Sequence, residues 1–132
     1  MPGSGPIIYV DHSEVREGKL QLLKPAMREL AEFVRTNEPR IISYNVYFDD
    51  DGKHMTVVHL HHDSDSLEFH MKKAGPEFPS FADFVNLDSI DIYGQVPEVL
   101  LDQLRRKAKM LGGGTVAVHE QHAGFSRVKV DT

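Results

Sequence analysis

The sequence predicts an α+β fold, and three observations carry that prediction. Apolar residues recur at helical spacing in separate stretches, β-rich runs stand before, between and after them, and an Asp-Gly turn joins two of those runs. The chain has 132 residues, so one domain spanning 1–132 is expected.

The elements follow in order. Residues 7–12, Ile-Ile-Tyr-Val-Asp-His, follow a Gly/Pro-rich start and read as a strand. Over 14–37 the residues Leu20, Leu23, Met27, Leu30 and Val34 recur at three- and four-residue steps, one face of a helix. Pro25 removes a backbone donor inside it and predicts a kink or a fresh start, and Glu38-Pro39-Arg40 ends it. Residues 41–48 and 54–62 are β-rich and joined by Asp49-Asp50-Asp51-Gly52-Lys53, which predicts an antiparallel hairpin. Asp63-Ser64-Asp65-Ser66 supplies capping oxygens for a helix over 64–74, stopped by Gly75-Pro76. A short helix carrying Phe78, Phe81, Phe84 and Val85 should follow. Over 88–96, Ile90, Ile92 and Gly94 alternate with Asp91, Tyr93 and Gln95, a half-buried strand. Leu100, Leu104, Ala108 and Leu111 stripe a helix over 97–111, Gly112-Gly113-Gly114 stops it, and 115–118 is a last strand. This is the ferredoxin-like βαββαβ order plus a C-terminal helix and strand. Helices on one face leave the other face of the sheet needing a partner, and a second subunit is expected.

Composition removes several function classes. Cysteine is absent, which excludes disulfides, thiolate nucleophiles, Fe–S clusters and zinc ribbons. Twenty acidic against 15 basic residues give a charge of −5, so no nucleic-acid partner is expected, and Arg105-Arg106-Lys107 with Lys109 reads as a solvated helix face. No apolar run is long enough to span a bilayer and residues 1–6 lack the features of a signal peptide, so a cytoplasmic protein with no membrane partner is expected. No nucleophile elbow, P-loop or dinucleotide-binding glycine pattern occurs, and no cofactor is expected. Protonating all eight histidines would reverse the sign of the net charge, which predicts acid sensitivity.

Candidate site residues come from parity. His59 and His61 lie two apart on a strand and face one side, where they could hydrogen-bond in a pocket. With a third ligand such as Asp11 or His70 they could hold a metal, though no metal site is expected. His70, three residues after Leu67, points partly toward the sheet. Asp11, Asn45, Tyr47, His59 and His61 stand at alternate positions on three strands, with Tyr93 a polar alternate on the fourth, and Tyr44 faces the other way from Asn45 and Tyr47. This set predicts a water-containing cavity beside His70.

Glu38-Pro39, Tyr44-Asn45-Val46-Tyr47, Asp50-Asp51-Gly52 and Leu67-Glu68-Phe69-His70-Met71 together resemble the antibiotic-biosynthesis monooxygenase family of the dimeric α/β-barrel superfamily. The resemblance covers about 7–95 and leaves a C-terminal extension over about 96–120. It implies a homodimer whose two sheets close into a barrel, and a monooxygenase working without a bound cofactor on a small aromatic, phenolic or quinone-type molecule. His70, His59 and His61 would carry the chemistry by taking a phenolic proton, and Asp11, Asn45, Tyr47 and Tyr93 would hold the substrate. The haem-degrading branch carries a tryptophan and a first-strand asparagine near the places of His61 and Asp11, so haem breakdown is not expected. The alternative is a non-catalytic ligand-binding or interaction module on the same fold.

Overall fold

The computed structural model describes residues 5–127; the outermost residues of the expected 1–132 span, including most of the 1–6 segment inspected for signal-peptide features, lie outside the described residues. The order is β1 (Ile7–Val15), α1 (Leu20–Asn37), β2 (Ile41–Phe48), β3 (His54–His61), α2 (Ser64–Ala74), a 3-10 helix (Gly75–Asp83), β4 (Val85–Tyr93), α3 (Glu98–Met110) and β5 (Thr115–His119). The strands form one sheet in the order β2-β3-β1-β4-β5, with β5 parallel to β4 and the other pairings antiparallel. This is the α+β, ferredoxin-like architecture with an added helix and strand. The sheet is open and does not close into a barrel within one chain. Among the described residues no helix is long and apolar enough to cross a membrane.

The helices bury Leu23, Met27, Leu30 and Val34 of α1, Leu67 and Met71 of α2, and Leu100, Leu104 and Ala108 of α3 against one face of the sheet. That face carries Ile7 and Tyr9 of β1, Met55 and Val57 of β3, and Leu87, Ile90 and Ile92 of β4. Several boundaries differ from the sequence reading, and β4 ends at Tyr93 where the reading carried it to 96. Strand β1 continues to Val15 because Ser13, Glu14 and Val15 find partners on both neighbours, or on β4 alone in the case of Val15, so α1 begins only at Leu20. Val85 pairs with Val15 and therefore opens β4 instead of closing the short helix. Helix α1 runs through Pro25 without a break, since the carbonyl its ring leaves unbonded belongs to solvent-exposed Gln21. The glycine run after α3 allows a close passage: a Cβ on Gly114 would lie 2.5 Å from the Leu87 carbonyl oxygen.

The expected parity of β2 is reversed. Ile41 pairs with His61 but Ser43 pairs with Leu60, leaving Ile42 as an extra, bulged residue. Ile41 packs on the helix side, and an unbulged strand would carry Asn45 and Tyr47 to that side as well. Past the bulge it is Tyr44 that sits opposite His59, while Asn45 pairs with Val58 and Tyr47 with Thr56. Asn45 and Tyr47 are accordingly exposed on the outer face. Tyr93 lies there too, 43% exposed and stacked on His119 with ring centroids 4.5 Å apart. The alternating set of five polar residues thus splits: Asp11, His59 and His61 face the helices, Asn45 and Tyr47 do not.

Candidate active site: a buried histidine cluster

Three strands and three helices converge on a group of polar side chains, all buried except the partly buried Tyr44. Tyr9 and Asp11 come from β1, His59 and His61 from β3, Tyr44 from β2, Ser66 and His70 from α2, Glu38 from the end of α1 and Lys107 from α3. His59, His61 and His70 are each at most 1% exposed. The cap of α2 fixes two of these positions, because the Asp63 side chain accepts from the Ser66 backbone N–H at 3.0 Å and starts the helix that carries both Ser66 and His70.

Within the cluster lie three hydrogen-bonded groups. In the first, His70 Nδ1 donates to both oxygens of Glu38, at 2.8 and 3.0 Å. A carboxylate only accepts, so this bond places a proton on Nδ1 and leaves Nε2 with its lone pair. That nitrogen is buried and has no hydrogen-bond partner among the described residues. In the second, His59 Nδ1 and His61 Nε2 are 3.0 Å apart and His61 Nδ1 lies 2.8 Å from Ser66 Oγ. Either tautomer of the pair satisfies both bonds, so a proton can sit at either end of the chain. In the third, Lys107 Nζ donates to Tyr9 Oη at 2.6 Å and Tyr9 donates to Asp11 Oδ2 at 2.7 Å, with Lys107 Nζ 3.8 Å from the same carboxylate oxygen. Ring contacts join the groups: Tyr9 stacks on His59 at 4.0 Å, and His59 meets His70 edge-on at 4.6 Å.

Electrostatics follow from burial. His70 is pushed below its ordinary value mainly by desolvation, with the Glu38 bond opposing and Lys107 adding to the depression. Burial likewise lowers His61 to about 3 and drives His59 well down. All three imidazoles are therefore neutral at pH 7. Burial raises Asp11 against the pull of Lys107 and Tyr9, and lowers Lys107 against the pull of Asp11, so desolvation outweighs attraction on both sides of that pair. The cluster holds a neutral base with a free lone pair, a proton-bearing tyrosine and a buried lysine.

The expected cavity is much smaller than a substrate. A void of about 40 Å³ lies beside the cluster, bordered by Ser13, Met27, Tyr44, Phe78 and Lys107. It has room for water, whereas an aromatic ring needs on the order of 150 Å³. Larger depressions of about 550 and 630 Å³ touch none of the clustered residues. A metal has no ready place in the cluster either, because His59 and His61 bond to each other and His70 Nδ1 to Glu38. Among the described residues the ligand atoms that converge belong to Asp49, Asp51 and His54 on the exposed hairpin, an acidic turn with nothing further to mark it as a site.

The sequence reading missed Glu38, Tyr44, Ser66 and Lys107. Lys107 had a signal: it lies three residues after Leu104 and four before Leu111, on the apolar stripe of its helix, and is itself buried. Ser66 was read only as a capping residue and Glu38 as part of a helix stop, and the partners that give them further roles are distant in sequence. His62, just past the end of β3, is buried, with its Nδ1 also without a partner among the described residues.

No family model and no curated protein matches the chain. Solved structures do match its fold. MupZ from Pseudomonas fluorescens superposes with a TM-score of 0.73 at 19% identity, over 97% of this chain and 99% of that one. A conserved protein from Methanosarcina mazei Go1 gives 0.61 at 23% identity, over 70% of this chain and 94% of its own. SnoaB, a cofactor-independent oxygenase from Streptomyces nogalater, gives 0.58 at 12% identity, over 67% and 90%. The fold is thus shared with structures that include a cofactor-independent oxygenase.

Proposed function

We propose that the chain is an oxygenase of the cofactor-independent kind, acting on a small phenol or quinol with His70 as its base. The observation that carries this reading is the state of His70: one ring nitrogen is fixed by Glu38, and the other is buried with no partner among the described residues. An unbonded polar atom costs about 1–3 kcal/mol, and a substrate hydroxyl at Nε2 would offset that cost. His70 would take the phenolic proton, giving an electron-rich anion. The anion passes an electron to O2, recombination forms a C–O bond at a ring carbon, and loss of water from the hydroperoxide leaves a quinone. Lys107 and Tyr9 would balance the charge that develops on the substrate oxygen. The fold similarity to SnoaB supports the reaction class.

Oxygen uptake with a panel of electron-rich phenols and quinols tests this. The native protein should consume O2 with at least one of them, and His70→Asn, which keeps a donor toward Glu38 but no basic nitrogen, should lose about 10²–10⁴-fold in rate. Uptake by no member of the panel, or an unchanged rate in His70→Asn, would overturn the reading.

The same reading includes a homodimer. Ile8, Tyr47, Tyr93 and Val118 are 42–50% exposed on strands β1, β2, β4 and β5, and a second copy laid on the uncovered face of the sheet would bury Ile8, Tyr47 and Tyr93. Light scattering should give twice the mass of one chain; the mass of one chain at micromolar concentration would refute the dimer.

A further inference from the structure

A closed cluster needs a way in, and one side chain stands between it and a groove of the right size. A groove of about 480 Å³ runs between α1 and β2, within the range of small-molecule sites, and its lining includes Arg28, Arg35, Glu38, Ile41, Ile42 and Tyr44. Two of these belong to the cluster. Glu38 holds His70, and Tyr44 borders both this groove and the 40 Å³ void beside Lys107. The Tyr44 ring lies 4.8 Å from that of His59 and 5.8 Å from that of His70.

Tyr44 is also lightly held. Its hydroxyl makes no hydrogen bond among the described residues, so its ring is kept in place by packing alone. Strand β2 is an edge strand, bonded on one side only, and its bulge at Ile42 lies two residues before Tyr44. The other clustered side chains are each tied by a hydrogen bond or ion pair. The groove carries one uncommitted charge. Arg35 is bound to Glu32, whereas Arg28 is exposed and pairs with no carboxylate among the described residues.

Resting on the reading of His70 as the base, we propose that the groove between α1 and β2 is the outer substrate site, that Tyr44 is the gate between it and His70, and that the ligand is a planar aromatic molecule bearing a carboxylate for Arg28. When the Tyr44 ring swings out, groove and void become continuous. The ligand's ring takes the place of the tyrosine against His59, and its acidic oxygen reaches His70 Nε2. The carboxylate stays at the mouth, where Arg28 is solvated.

Acylation of individual histidines by diethyl pyrocarbonate, mapped by mass spectrometry, tests the gate without relying on turnover, with 1-naphthoate as the probe ligand. In the native protein His70 should react slowly relative to exposed His12. Tyr44→Ala, or Tyr44→Val where the smaller side chain fails to fold, should speed His70 by at least about tenfold and leave His12 unchanged. Tyr44→Phe should behave as native. Saturating 1-naphthoate should protect His70, and Arg28→Gln should weaken that protection about fivefold while leaving protection by uncharged 1-naphthol unaltered. A folded Tyr44→Ala or Tyr44→Val protein with His70 as slow as native would overturn the gate. Absence of protection by 1-naphthoate, or equal loss for both probes in Arg28→Gln, would overturn the assigned ligand. Protection of His70 in a protein that consumes no O2 would leave the groove standing and remove the oxygenase, so the two failures are separate.

Discussion

Both faces of the sheet carry polar residues, but they treat them differently. On the outer face Asn45, Tyr47 and Tyr93 are exposed, and what hydrogen bonding they do can be with water. On the inner face Asp11, His59 and His61 are buried, and each is bonded to another side chain brought by a different element or by the next residue of its face. Polar atoms out of water must find partners or cost stability, so the inner face has little freedom to change and the outer face much. On the helix packed over that face, His70 Nε2 is fully buried with no hydrogen-bond partner among the described residues, and is for that reason the most informative atom of the cluster.

The largest test of this contrast is His70→Ala. It strands the Glu38 carboxylate, only 3% exposed, and should cost about 3–5 kcal/mol in urea denaturation at pH 7. Glu38→Gln keeps an acceptor for Nδ1 and should cost no more than about 1 kcal/mol. Comparable losses in the two variants would mean that packing, not hydrogen bonding, holds the pair.

Acid comes next. The folded protein holds its clustered histidines below the ordinary 6.5, whereas the unfolded chain titrates them near it, so below pH 6.5 the unfolded state binds more protons and folding weakens. For His61 this loss runs from about pH 6.5 down to about 3, at up to ~1.4 kcal/mol per pH unit, with His59 and His70 adding to it. Asp11, raised by burial, works in the opposite direction, because its proton is bound more tightly in the fold and favours folding as the pH drops. Thermal unfolding from pH 8 to 5 should therefore be flat above pH 7 and fall steeply below 6.5; a flat curve down to pH 5 would break the claim that the imidazoles are buried and neutral.

Smaller effects sharpen the picture. Ser66→Ala removes one hydrogen bond to His61 and should cost about 1 kcal/mol. Asn45→Ala and Tyr47→Ala should each change the stability of an isolated chain by about 0.5 kcal/mol or less. A larger cost that rises with protein concentration would show that a partner covers the outer face.

How much of this was legible in the sequence follows from the range of each interaction. The strand and helix order was readable because it rests on local periodicity, and so was the shared face of His59 and His61, which depends on two residues of one strand. The facing of β2 was not, since a single bulged residue at Ile42 exchanges Tyr44 for Asn45 and Tyr47 and leaves no mark in an otherwise regular β-rich run. Glu38 and His70 are 32 residues apart, and Lys107 and Tyr9 are 98 apart, so only the folded chain pairs them. Lys107 in particular looked like a member of a basic run, although its place on the apolar stripe of α3 pointed inward.

The most direct measurement is the tautomer of His70 by two-bond 1H–15N NMR at pH 7, assigned against His70→Asn. The bond to Glu38 and the burial of the ring require a neutral imidazole protonated at Nδ1, with Nε2 showing the shift of an unprotonated nitrogen. A spectrum in which Nε2 carries the proton, or in which the ring is a full imidazolium, would contradict the account, because His70 would then have no lone pair to offer a substrate.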